Sequence, residues 1–262
     1  MNAVQVFVTL YCATLAATIA LCHGDQLRWL RLTRGFERTG AVLGRWRLPH
    51  LSDTQFHLLG ALLVLCLVSA AANVVPRAAL LSAAILYFPY FGQILRLSYV
   101  NRKTNLMPQI LLVLAVAPGT GETVTDPASP WGLLIVQAIL AQVYLSAAIC
   151  KLVHSGVRWA DGSVLQAVFL GQHLSYDLPL TEWLARHRWL CSGLAAATLL
   201  HQLTFWLVLV VPGLWLPYAM FGLLFHVATL VLMRINYLTY QAPAFLVFVA
   251  APLARMLADA GG

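Results

Sequence analysis

Apolar residues fall in long runs near 3–22, 55–75, 78–95, 106–118, 131–153, 189–211, 214–233 and 237–256, separated by shorter polar stretches. A helix that crosses a bilayer needs about 20 mostly apolar residues, and most of these runs approach that length. The pattern predicts an all-α fold, a polytopic integral membrane helical bundle of about eight hydrophobic segments with amphipathic helices at the interface. Residues 1–262 then form a single transmembrane domain. The run at 106–118 begins LMPQ, ends APG and is too short for a plain crossing, so a half-helix or a tilted, protein-covered segment is expected there. Pro108 and Pro217 stand near the starts of their segments, where a proline disturbs least. Pro89 is interior, and 78–95 is read as a kinked span.

Two polar connections carry most of the remaining information. Residues 23–54 interleave Arg28, Arg31, Arg34, Arg38, Arg45 and Arg47 with Trp29, Leu30, Leu32, Phe36 and Trp46, the composition of a basic amphipathic segment lying on the membrane surface. Residues 154–188 mix apolar side chains with His173, Tyr176, Trp183 and several charges, and short interfacial helices are expected there. If eight spans alternate and 23–54 is cytoplasmic, Arg96, Arg102, Lys103, Arg158, Arg186, Arg188 and Arg234 share that side, as the positive-inside bias requires.

Composition agrees with this reading. With 61% hydrophobic and 10% charged residues, the chain lies far below the roughly 25% charged residues of soluble domains. The formal charge of +7 is explained by loops facing anionic lipid, so membrane lipids rather than nucleic acid are the expected partners. The run from Met1 to Cys22 lacks a positive n-region and a small-residue cleavage site and is read as a retained first helix. Cys12, Cys22, Cys66, Cys150 and Cys191 lie in or beside apolar segments without a CxxC pair and read as buried structural thiols.

Polar residues inside the apolar runs are the candidate chemistry. Lys151 ends VYLSAAICKLV, with Tyr144 on the same helical face two turns earlier. Snorkelling to the headgroups is one reading of this lysine. The other is a dry cavity, in which a lysine loses its preference for the charged form and becomes a usable general base. His201 and Gln202 sit within 189–211, and His226 within 214–233. Histidines on consecutive spans are harder to assign to packing than one alone. Asn236, Tyr237, Tyr240 and Gln241 add a polar strip downstream, and Asn101, Thr104, Asn105 and Gln109 add one upstream, so that together these groups are expected to line one cavity. No HxxxH, HxxE or carboxylate-rich spacing occurs in any span, and no metal site is predicted.

The stretch YLSAAICKLVHSGVRWADG, Tyr144 to Gly162, resembles the signature of the vitamin K-dependent γ-carboxylase and its bacterial relatives, the HTTM membrane family. The shared pattern is a small-residue helix ending in Lys151-Leu152, a short polar interval, then Trp159-x-x-Gly162, with a later Phe225-His226 pair. The resemblance implies a membrane-embedded enzyme that deprotonates a reduced, vitamin K-like quinone and lets it react with O2, with CO2 as co-substrate where carboxylation follows. It assigns Lys151 and His226 as catalytic, and His201, Tyr144, Trp159, Asn105 and Tyr240 as the substrate or quinol pocket. The carboxylase's early Asn-His pair is represented here only by Asn105, and Gln202 stands nearest the place of the family's acidic residue. The large domain that handles the carboxylase's protein substrate is not among these 262 residues, so the resemblance reaches the quinol chemistry rather than carboxylation of a protein.

The function expected is therefore a quinol- and O2-dependent oxidase or oxygenase, or carboxylase-like chemistry, acting on a lipophilic small molecule in a multi-pass integral membrane protein. In a bacterium its place would be the inner membrane. The alternatives are a non-enzymatic carrier whose permeation path these polar groups line, and a membrane subunit that docks a partner through the arginine-rich 23–54 segment. Concentration of the polar residues in the C-terminal half, rather than in paired repeats, favours the enzyme over the carrier.

Overall fold

In a computed structural model the described residues are 2–33, 51–95, 106–117, 120 and 131–260, and among them every regular element is helical. The α-helices are α1 Ala3–Thr33, α2 Asp53–Ala71, α3 Pro76–Leu95, α4 Leu106–Val116, α5 Trp131–Ser155, α6 Ser163–Tyr176, α7 Pro179–Arg186, α8 Arg188–Thr204, α9 Trp215–Met233, α10 Leu238–Gln241 and α11 Val247–Ala260. Six stretches among the described residues are long and apolar enough to cross a membrane: Ala3–Leu32, Asp53–Ala71, Trp131–Asp161, Arg188–Leu209, Pro212–Met233 and Ala242–Asp259. Each of the eight apolar runs falls on a helix, but the 20-residue α3 and the 11-residue α4 are not among those six. Leu62, Leu65, Ile85, Leu224 and Val231 point outward from their helices. Helices apolar on every side, with all backbone groups bonded internally, are what a hydrocarbon solvent demands.

The chain divides into two bodies, residues 1–136 with 239–262, and residues 137–238. In the first, α1 packs along α2, α2 on α3 and α3 on α4, while α11 and the 3-10 turn Ala242–Leu246 also pack on α1. Phe7, Tyr11, Leu15, Ile19, Phe56, Leu63, Leu67 and Leu80 fill its core. Ser52 caps α2 in a reciprocal capping box with Gln55, and Asp53 in the first turn bonds Arg31 at 2.8 Å. At the other end the Thr9 hydroxyl donates to the Ala71 carbonyl at 3.1 Å.

Two sequence expectations change here. The first helix does not stop at residue 22: α1 continues to Thr33, because Leu27 and Leu30 extend the buried face. The basic segment is thus helical continuation over 23–33, and its remainder from 34 to 50 lies outside the described residues. The last apolar run is also interrupted, being built from α10, a 3-10 turn and α11, with Pro252 inside α11 as well as Pro89 inside α3.

In the second body α5 runs into the 3-10 turn Gly156–Asp161, then the α6 and α7 hairpin, then α8, the 3-10 turns Phe205–Leu209 and Pro212–Leu214, and α9. The expected short helices of 154–188 are α6 and α7, held by the buried cluster Phe169, Leu184 and Cys191. Pro179 and Glu182 open α7 with favourable N-terminal chemistry. The five thiols are not uniformly buried: Cys12 and Cys191 are, Cys22 and Cys66 are half-buried, and Cys150 faces outward because its neighbour Lys151 takes the inner position.

Gly162 fixes this body's geometry. It has φ 83° at the junction of the 3-10 turn and α6, and a Cβ built on it would stand 2.4 Å from the Ser192 backbone nitrogen. Only a residue without a side chain allows the turn to lie directly on α8, where the Ser192 hydroxyl donates to the Ala160 carbonyl at 2.8 Å. Gly162→Ala is expected to cost at least about 2 kcal/mol, from left-handed strain plus the clash. Gly193→Ala, where nothing lies within 4 Å, should be neutral or stabilising. Thermal unfolding of both variants in detergent checks this, and equal melting temperatures would refute it.

Candidate functional site

The second body gathers its polar side chains from three helices. Two helical turns on α5 put Tyr144 and Lys151 on one face, α8 presents the adjacent pair His201 and Gln202, and α9 supplies His226. Lys151 does not reach away from the bundle: its Nζ donates to Gln202 Oε1 at 2.6 Å and lies 5.0 Å from the centre of the Trp159 ring. Gln202 is 4% exposed, so the lysine head is drawn toward a buried amide. Among the described residues no carboxylate pairs with Lys151. Trp159 is delivered to this position by the turn that Gly162 docks on α8.

Deeper along α5, Tyr144 Oη and His226 Nε2 are hydrogen-bonded at 2.8 Å, and both residues are buried. The Tyr144 ring stacks on Phe205, with centroids 4.3 Å apart and planes 11° apart. His201 sits among four rings, stacked with Tyr218 at 5.2 Å, tilted to Phe221 at 4.5 Å, and edge-on to Tyr144 and Phe205. Its Nε2 is buried and has no hydrogen-bond partner among the described residues. Tyr237 approaches His226 at 5.8 Å between ring centres, and burial pushes its hydroxyl up from the ordinary tyrosine value.

The structure thus brings Lys151, Trp159, Tyr144, His201 and His226 into one body, together with Gln202. Asn105, Asn101 and Thr104 lie outside the described residues, as does the side chain of Tyr240, whose backbone stands in α10 of the first body. Gln109 is exposed on α4, which corrects the expectation for that residue. The walls Phe205, Tyr218 and Phe221 were not singled out in the sequence, because aromatic residues in an apolar run carry no mark of their own. Among the described residues no group of three His, Cys, Asp or Glu side chains is arranged to hold a metal ion.

A second polar cluster, in the first body, was also missed. His23 Nδ1 lies 2.8 Å from Tyr90 Oη, His23 Nε2 lies 2.8 Å from His57 Nδ1, and the Tyr90 hydroxyl donates to Gln26 Oε1. Since the single phenolic proton is committed to Gln26, Tyr90 accepts from His23 Nδ1–H, and His23 Nε2 then accepts from His57 Nδ1–H. The chain of bonds pins α1, α2 and α3 together. Gly60 makes room for it, since a Cβ there would stand 2.9 Å from the His23 ring. Reading 23–54 as a connection hid it, because His23 belongs to α1.

Comparison with family models, curated proteins and solved structures gives no match. What the fold and this geometry define, among the described residues, is an all-helical protein with six helices suited to multi-pass membrane insertion and a buried polar cluster on α5, α8 and α9.

The Tyr144–His226 bond can be weighed by a double-mutant cycle of Tyr144→Phe and His226→Phe. Each single variant should lower stability by about 1–3 kcal/mol through the partner left unsatisfied. The coupling between them should be about 1 kcal/mol by denaturant titration, and additive effects would argue that no bond is present.

Proposed function

We propose that the polar cluster of the second body is the reaction site of a membrane-embedded enzyme that acts on a quinol or similar lipophilic substrate with O2, with Lys151 as general base. The observation that carries this reading is the bond from Lys151 Nζ to the buried Gln202 amide, with the Trp159 face beside it. An ionisable group within bilayer depth is costly, and one turned inward is a functional-site candidate rather than a headgroup anchor. A neutral lysine amine gives one N–H to Gln202 Oε1 and keeps its lone pair for a substrate O–H. Once it has taken that proton, the ammonium is stabilised by the same carbonyl oxygen and by the indole face, with no carboxylate among the described residues to hold it permanently charged.

The remaining groups fit a flat, largely apolar molecule with polar oxygens. Phe205, Tyr218 and Phe221 make the surroundings of His201 aromatic, and His201 Nε2 is a buried polar atom with no partner among the described residues. The Tyr144–His226 pair supplies a second hydrogen-bonding point deeper in the body. The sequence resemblance to the carboxylase and HTTM family around Tyr144–Gly162 and Phe225-His226 points to the same chemistry: proton removal from a reduced quinone, O2 as oxidant, and CO2 as co-substrate if the carboxylase-like branch is retained. In this reading α3 and α4 complete a set of eight membrane segments.

The test is oxygen uptake by the purified protein in lipid on addition of a vitamin K hydroquinone. Lys151→Ala should lower the rate by at least about 100-fold, the range of a lost general base, while the melting temperature shows that the variant is folded. A folded and fully active Lys151→Ala protein would end the mechanism.

A further inference from the structure

The α6 and α7 hairpin forms an open groove of about 610 Å³ lined by both ionic and aliphatic side chains. Of the ionic ones, Glu182 accepts a hydrogen bond from Arg186 and stands 3.6 Å from His173 Nε2. The aliphatic ones are Ala167, Leu170 and Leu174. A lining that combines ion-pairing groups with exposed leucine side chains suits an amphiphile.

Its place in the chain fixes the depth at which it works. The hairpin joins the candidate spans Trp131–Asp161 and Arg188–Leu209, so membrane insertion of both would put it at the surface of the hydrocarbon. Tyr176, Trp183 and Trp189, all exposed, stand on or beside it, and such residues concentrate at the headgroup level. An amphiphile that meets the groove there arrives with its headgroup against the ionic groups.

We propose that this groove is a binding site for a phospholipid whose headgroup carries a primary amine, phosphatidylethanolamine. Arg186 uses one of its five N–H donors on Glu182 and has others for the phosphate. The Glu182 carboxylate accepts N–H from the ammonium, and the leucine side chains take the first part of an acyl chain. The choice of amine follows from Glu182. A trimethylammonium headgroup has no N–H to give the carboxylate, and a phosphoglycerol headgroup brings a phosphate charge without a balancing cation. This site is independent of the Lys151 cluster and of the substrate that cluster acts on.

The test reconstitutes the whole protein in vesicles containing phosphatidylethanolamine, phosphatidylcholine and phosphatidylglycerol in equal amounts with identical acyl chains. The protein is then extracted in mild detergent, and the retained lipid is counted by native mass spectrometry. Phosphatidylethanolamine should exceed phosphatidylcholine by about tenfold, the effect of one charge-assisted hydrogen bond. Glu182→Gln should erase that preference, and Arg186→Gln should reduce retention of every phospholipid. Both positions are at the surface, and thermal unfolding checks that the variants are folded. Equal retention of the two zwitterionic lipids by the wild-type protein, preference for phosphatidylglycerol, or a preference unchanged by Glu182→Gln would each overturn the assignment.

Discussion

A positively chargeable side chain in a stretch apolar enough to cross a membrane must find either the headgroups or a partner inside the protein, and Lys151 is bonded to such a partner, Gln202. Its bond to Gln202 ties α5 to α8. For the lysine to turn inward, α8 must present an amide at the level of the last turns of α5, and that side of α5 must face α8 rather than lipid. Cys150, one residue earlier, is then left on the outer surface. The choice of an uncharged partner matters chemically. A carboxylate would fix the lysine as an ammonium, whereas a carbonyl oxygen and an indole face support both of its protonation states.

The short segment after α5 is what makes that arrangement possible. Gly162 lets the chain reverse against the backbone of α8, and the reversal carries Trp159 to the lysine. A motif of Trp, two residues and Gly therefore has a mechanical reading in this chain: the glycine is the contact point and the tryptophan is what the contact positions. Deeper in the body the packing is aromatic, so that Tyr144 and His201 are held by rings on several sides.

Much of this was readable from the residues. Apolar runs located the helices, because bilayer-spanning segments have no other way to satisfy their backbone. The spacing of Tyr144 and Lys151 placed them on one face, and Lys151, His201 and His226 stood out as ionisable groups in apolar surroundings. The end of α1 was not legible, since its arginines read as an interfacial segment while Leu27 and Leu30 continue a buried stripe that only packing reveals. The His23, His57, Tyr90 and Gln26 cluster was hidden because its members come from three helices and none is unusual beside its own neighbours. Pro252 inside α11 shows the same limit, as its neighbours decide whether a proline ends a helix or is accommodated within it.

Polar groups in the two bodies thus serve different ends. In the first body a chain of side-chain bonds pins three helices to one another. In the second, a buried imidazole nitrogen with no partner among the described residues and an inward lysine stand beside aromatic rings, and on these two groups the proposed quinol site rests. The most direct measurement of that claim is mass spectrometry of the lipid extracted from the purified protein, paired with oxygen uptake on adding quinols. A stoichiometric co-purifying quinone together with uptake is the result expected. Reproducible absence of any quinone, with no oxygen consumed, would contradict it.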